Sequence, residues 1–158
     1  MTKQLKTSFP YARPSALEEI FRLIKEEPTW NPSSINVSTL KTLGIAPSKE
    51  TLAIQTLKFL GILNEDATPT DVFVSLRKSF ASTLERQVRQ AYKSIFDQIP
   101  LSRINQETLV KFFMNNGYIE DTAEYQGVLF VYLCKAVNID LPNASLSFKR
   151  ARFKKRVE

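Results

Sequence analysis

The sequence contains no histidine and a single cysteine, Cys134. Histidine is the commonest general base near neutral pH and the commonest transition-metal ligand. Its absence removes Ser-His and Cys-His nucleophile pairs, and zinc sites built from Cys and His within one chain. One thiol excludes an internal disulfide and gives no sign of an oxidising compartment. Glycine is scarce, four residues in 158, and no glycine-rich run could cradle a phosphate. No apolar run approaches the roughly 18 residues of a membrane span. The stretch MTKQLKTSFPYARPSALEE lacks the apolar segment of a signal peptide. These absences predict a cytoplasmic, non-enzymatic protein with no membrane contact, no catalytic residue, no cofactor and no metal.

What is present is an apolar share of 43%, enough to build a core and to argue against global disorder. Strand signals are few. Helical spacing recurs along the chain and predicts an all-α protein of two small helical units in tandem. Residues 1–14, with Pro10 and Pro14, read as an irregular lead-in. Residues 15–77 form a first unit, 78–142 a second, and 143–158 a basic tail.

In the first unit, Ser15 and Glu18 form a candidate capping box for a helix that Pro28 ends. A short helix from about Ser38 stops at Gly44, and Ser48 caps a second one that ends at Gly61. The segment ILNEDATPT is a turn in which a winged helix would place its wing, and Thr70 caps the next helix. The order short helix, glycine turn, longer helix is that of a helix-turn-helix.

In the second unit, SFASTLERQVRQAYKSIFDQI reads as one long helix with Leu84, Val88, Ala91, Ile95 and Ile99 on its apolar stripe. Asn105 caps the next helix, Gly117 stops it, and Asp121 or Thr122 opens the last. Gly44 to Leu60 and Gly117 to Leu133 share a spacing of sixteen. Duplication and independent convergence of two three-helix units both produce that spacing.

The segments YARPSALEEIFRLIKE, LKTLGI, LERQVRQAYKSIF and above all Leu57, Leu60, Gly61, Ile62, Leu63, Thr68, Pro69 and Thr70 carry a resemblance. Over about residues 10–140 the chain resembles a family of uncharacterised prokaryotic proteins, the domain of unknown function numbered five-three-four-three. The resemblance implies an all-helical, helix-turn-helix-like fold and brings no catalytic residue with it. Ala67 stands where the family pattern has glycine, which argues against a tight left-handed turn there.

Charge supplies the candidate function. The last ten residues hold Lys149, Arg150, Arg152, Lys154, Lys155 and Arg156 against Glu158, six minus one, or +5 of the chain's +6. Such an arm binds nucleic acid or an acidic partner, and Phe148 and Phe153 between the charges could stack on bases or dock the arm. Arg86, Arg89 and Lys93 stand three and four residues apart, the spacing of phosphate contacts along a helix face or of a solvated surface. Arg77 and Lys78 precede them. On the candidate recognition helix, Lys49, Gln55, Thr56 and Lys58 are the side chains able to reach base edges. Its surroundings are neutral, with Lys41, Lys49 and Lys58 against Glu50, Glu65 and Asp66.

Glu120, Asp121 and Glu124 could bind a metal, but a helix N-terminus attracts carboxylates without one. Cys134, among Leu133, Val131 and Val137, reads as a buried thiol. Trp30 reads as packing its loop onto the first unit. The expected function is therefore association with DNA or RNA in an accessory or regulatory role. The alternative is a protein-interaction module whose tail docks an acidic partner. The sequence leaves the oligomeric state open.

Overall fold

The computed structural model describes residues 8–145. The fold is all-helical. In chain order it runs α1 (Pro14–Glu26), α2 (Val37–Leu43), α3 (Glu50–Phe59), α4 (Asp71–Lys78), α5 (Phe80–Ala91), α6 (Lys93–Gln98), a 3-10 turn (Leu101–Arg103), α7 (Gln106–Asn115) and α8 (Glu120–Ala136). Among the described residues there is no strand, only an isolated antiparallel bridge between Leu63 and Pro69. One apolar cluster runs from Phe9 to Leu141 and draws on every helix.

Helix α1 begins one residue before the expected Ser15 cap. Pro14 takes the first helical position, where its missing N–H would have been unbonded anyway, and Ser15 is exposed. Leu17, Ile20, Phe21 and Ile24 form its buried face. Helices α2 and α7 open with the same device. Asn36 and Asn105 each accept from the backbone N–H three residues on, and Thr39 and Thr108 bond back to the cap N–H. Gly44, Gly61 and Gly117 all stand at helix ends with positive φ, where glycine carries no Cβ penalty.

Two expectations at turns are overturned. Ser48 is not the cap of α3. It lies at φ +69, with Ala46 at φ +52, and Lys49 takes the cap position without a side-chain bond. Ala67 does adopt the left-handed conformation, at φ +71. The turn around it is held by other means. Asp66 accepts from the Thr68 N–H at 3.1 Å and from its hydroxyl at 2.6 Å, and Ile35 N–H donates to the Ala67 carbonyl at 2.9 Å. These bonds offset a strain on the order of 1–2 kcal/mol. Thr70 closes the turn and caps α4 as expected. Its hydroxyl donates toward the Gly61 carbonyl at 2.6 Å and accepts from Val72 N–H at 3.2 Å.

The long helix expected across residues 80–99 is two helices. Tyr92, at φ −106 and ψ 25, interrupts it. The apolar stripe continues through the break, so spacing alone does not reveal it. The break seats the fully buried Tyr92 ring against Phe59 at 5.0 Å and Phe130 at 4.9 Å, and α6 then brings Phe96 to 5.5 Å from Phe130. Ala91, assigned to the stripe, is only half-buried.

The described part of the lead-in belongs to the core. Phe9 is buried, with its ring 5.2 to 6.0 Å from those of Phe59, Tyr92, Phe112 and Phe113. Its backbone is held at both polar groups. Phe9 N–H donates to the Tyr118 hydroxyl at 3.0 Å, and the buried Gln126 amide donates to the Phe9 carbonyl at 2.8 Å. An extended segment inside a helical core needs such partners, because an unbonded backbone group there costs about 1–3 kcal/mol.

Candidate functional site

The basic residues singled out from the sequence fall into three groups. The first is the face of α5 and α6. Arg86, Arg89 and Lys93 are all exposed, but the break at Tyr92 separates Lys93 from the helix carrying the other two. Arg89 Nε bonds Glu85 Oε2 at 2.9 Å and its guanidinium lies 5.7 Å from the Phe96 ring centre. Lys93 Nζ bonds Asp97 Oδ2 at 2.8 Å. Exposed pairs one turn apart contribute only about 0.3–0.5 kcal/mol. They nevertheless lower the net charge of the face to three minus two, or +1.

The second group flanks that face. Lys78 is exposed at the end of α4. Arg77 faces inward. Its Nη1 donates to the Glu27 carbonyl at 3.1 Å, its Nη2 to the Trp30 carbonyl, and its guanidinium lies 5.2 Å from the Phe73 ring centre. Glu27 is the C-terminal cap of α1, where the helix carries partial negative charge, so Arg77 ties α4 to the end of α1. Trp30 packs at 6.1 Å from the same Phe73 ring, as its place in the loop suggested.

The third group is α3. Lys49 and Gln55 are exposed and Lys58 is half-buried. Thr56, the fourth side chain considered there, is fully buried and its hydroxyl donates to the Leu52 carbonyl at 2.9 Å, so it reaches no ligand. Gln55 and Lys58 open onto a cleft of about 540 Å³ that sequence reasoning did not find. Its other walls come from Tyr11 beside the Phe9 segment, Phe59, Tyr118 after α7, and Glu65 in the turn before α4. No local spacing links those positions; only the folded lead-in brings them together. The floor is fixed. Phe59 meets Phe9 edge-on at 5.8 Å, and the Tyr118 hydroxyl is bonded to the Phe9 backbone. Beside the cleft, the Thr68 hydroxyl and N–H hold the Asp66 carboxyl below its ordinary value, with the Lys58 charge adding to the effect.

The candidates for metal and thiol chemistry are differently placed. Glu120 and Asp121 stand in the first turn of α8, and Glu124 is buried one turn on. Among the described residues no group of three or more thiol and carboxylate side chains is arranged to hold a metal ion. Cys134 is buried, and burial pushes its thiol up to about 12, far from the range of a reactive thiolate. No described helix is long and apolar enough to cross a membrane. The tail residues Lys149, Arg150, Arg152, Lys154, Lys155 and Arg156 lie outside the described residues.

No curated protein and no solved structure matches the chain significantly. A family model covers residues 10–136, from the proline after Phe9 to the last residue of α8, and leaves the basic tail outside. On that coverage the chain belongs to DUF5343, a family of unknown function.

Proposed function

We propose that the protein is a non-enzymatic nucleic-acid-associated module, in which the helical domain orients the strand and the basic tail supplies most of the affinity. The observation that carries this reading is the segregation of charge. Five of the six net positive charges sit in the last ten residues, beyond the family domain, while the body is 16 minus 15, or +1. A nearly neutral body with one concentrated cationic arm favours a polyanion, because each phosphate neutralised releases counterions. Arg86, Arg89, Lys93 and Lys78 serve as positioning contacts that carry no sequence information. The α2–Gly44–α3 order supports a helix-turn-helix reading, with Lys49, Gln55 and Lys58 as the side chains facing the bases.

The test is fluorescence anisotropy with duplex and single-stranded oligonucleotides across salt concentrations. Deleting residues 149–158 should weaken binding and flatten the log–log salt slope, which is roughly −0.9 per phosphate contact on duplex and −0.7 on single strands. No binding by the intact chain at low salt would sink the reading. Protein–protein association would then come forward, with the tail docking an acidic partner. That second reading draws support from Met114 and Ile119, which flank the α7–α8 turn and are 45% and 69% exposed.

A further inference from the structure

We propose that the cleft between the Phe9 segment, α3 and the 64–67 turn is a seat for one unpaired nucleobase, with guanine preferred. This rests on the nucleic-acid reading and names what the domain itself would recognise.

The walls of the cleft are largely aromatic. Tyr11, Phe59 and Tyr118 supply aromatic surface, and Tyr11 is exposed at the rim. Phe59 and Tyr118 are backed by the packed Phe9 cluster, so two walls of the seat are already in place before a ligand arrives. Preorganised aromatic walls favour a flat ring, and base stacking on such surfaces tolerates any sequence. Gln55 and Lys58 stand three residues apart on α3, hence on one side of the helix. Gln55 offers both a donor and an acceptor; Lys58 offers donors on a flexible stem.

Glu65 decides between ligand classes. A pocket for a phosphate would not carry a carboxylate alongside its one lysine. Among the lining side chains Lys58 and Glu65 balance in charge, and no ion pair joins them among the described residues. Neutral heterocycles fit that balance. The Glu65 carboxylate, acceptor-only when ionised, calls for adjacent donors. Among the common bases guanine presents two, the ring N–H and the neighbouring amino group, while its carbonyl oxygen accepts from Gln55 or Lys58. A volume of about 540 Å³ lies within the range of roughly 300–1,000 Å³ typical of small-ligand clefts. The seat needs its base out of the duplex, so the strand it takes is single or looped.

The experiment uses the full chain and fluorescein-labelled single-stranded oligonucleotides of equal length that differ at one central position: guanine, thymine or an abasic site. Guanine should bind about 10-fold tighter than the abasic strand, with thymine between. Tyr11→Ala should abolish the difference between a base and no base. Glu65→Gln should remove the preference of guanine over thymine, and Lys58→Ala should narrow the gap between guanine and the abasic strand. Tyr11, Lys58 and Glu65 are rim side chains, and circular dichroism checks that the variants remain folded. Equal affinity for all three strands overturns the seat while leaving tail-driven nucleic-acid binding intact. A parallel titration with free guanosine, which carries no phosphate, is followed by NMR at the Gln55 side-chain amide. Shifts there with no strand binding uphold the seat and remove the nucleic-acid reading; no shifts with guanosine and no base preference remove the seat.

Discussion

The stretch from α2 to α4 and the stretch from α5 to α8 bury their apolar residues in one continuous cluster, yet they hold their shape by different means. The first depends on polar closure. Left-handed residues at Gly44, Ala46, Ser48, Gly61 and Ala67 reverse the chain repeatedly, and each reversal is tied down by side-chain or backbone hydrogen bonds around it. The second depends on rings. Tyr92, Phe112 and Phe113, together with Phe59 of α3, converge on Phe9, which reaches them from the far side of α1 in sequence, and Phe130 backs Tyr92. Most of the polar closure is local, within a turn, with a few longer ties such as Ile35 to the Ala67 carbonyl and Arg77 to the Glu27 carbonyl. Ring closure is distant, and one side chain serves four neighbours. The comparison teaches where a single change propagates: little across the turns, far across the junction.

The sharpest way to break this comparison is Phe9→Ala. Removing a buried ring typically costs about 3–5 kcal/mol, and here it also loosens the seats of Tyr118 and Gln126 on the Phe9 backbone. Urea unfolding should show a large drop in midpoint. A loss under about 1 kcal/mol would mean the junction does not depend on the lead-in.

Alkali should attack the same junction. Burial raises the Tyr92 hydroxyl and pushes the Cys134 thiol and, on α8, the Tyr132 hydroxyl each up to about 12. Groups whose folded pKa is raised favour the fold fully below their unfolded pKa, about 9 to 10 here. That contribution is lost as pH rises toward 12. Stability should fall from about pH 9 upward, and Cys134→Ala should flatten the early part of the decline relative to neutral pH. Melting temperature against pH measures both. A flat profile between pH 9 and 11 would contradict the buried placement.

On the polar side, Arg77→Met keeps the stem that covers Phe73 and deletes the bonds to the Glu27 and Trp30 carbonyls. The loss should be about 1–3 kcal/mol, and hydrogen exchange should rise at the end of α1 and through the Trp30 loop while leaving α7 and α8 unchanged. Spread of that effect into α8 would break the distinction between local and distant closure. The smallest effect belongs to Ala67→Gly. It relieves the left-handed strain but loosens the unfolded chain by about 0.4–1 kcal/mol, so the midpoint should move by less than about 1 kcal/mol. A loss above that would show that the Ala67 methyl, 8% exposed, packs for more than the strain costs.

Legibility in the sequence follows the same division. Gly44, Gly61, Gly117, the Asn105 cap and the Thr70 cap were readable because each is decided within a few residues. At Gly61 the fold adds a second, distant constraint. Its φ is +77, and a Cβ there would stand 2.8 Å from the Gln87 amide that caps the Leu60 carbonyl. The break at Tyr92 and the burial of Phe9 were unreadable because their partners lie tens to more than a hundred residues away. Arg77 shows the limit for sites. A guanidinium that binds backbone carbonyls and one that binds phosphate have the same sequence signature, and only the fold decides which acceptor is in reach. The cleft escaped notice for the reason Phe9 did, since Tyr11, Gln55, Glu65 and Tyr118 come from four separate segments.

The Phe9 plug also has a consequence for synthesis. Its backbone partner Gln126 is separated from it by 117 positions, so the ribosome must reach the first half of α8 before the centre of the domain can close. Contacts of such separation slow folding, because loop closure is completed before the contact repays it. Until then α1 to α5 emerge with an apolar face open where Phe9, Phe112 and Phe113 will later meet. The nascent chain therefore passes through a long interval in which a holdase, or nothing, stands between that face and aggregation.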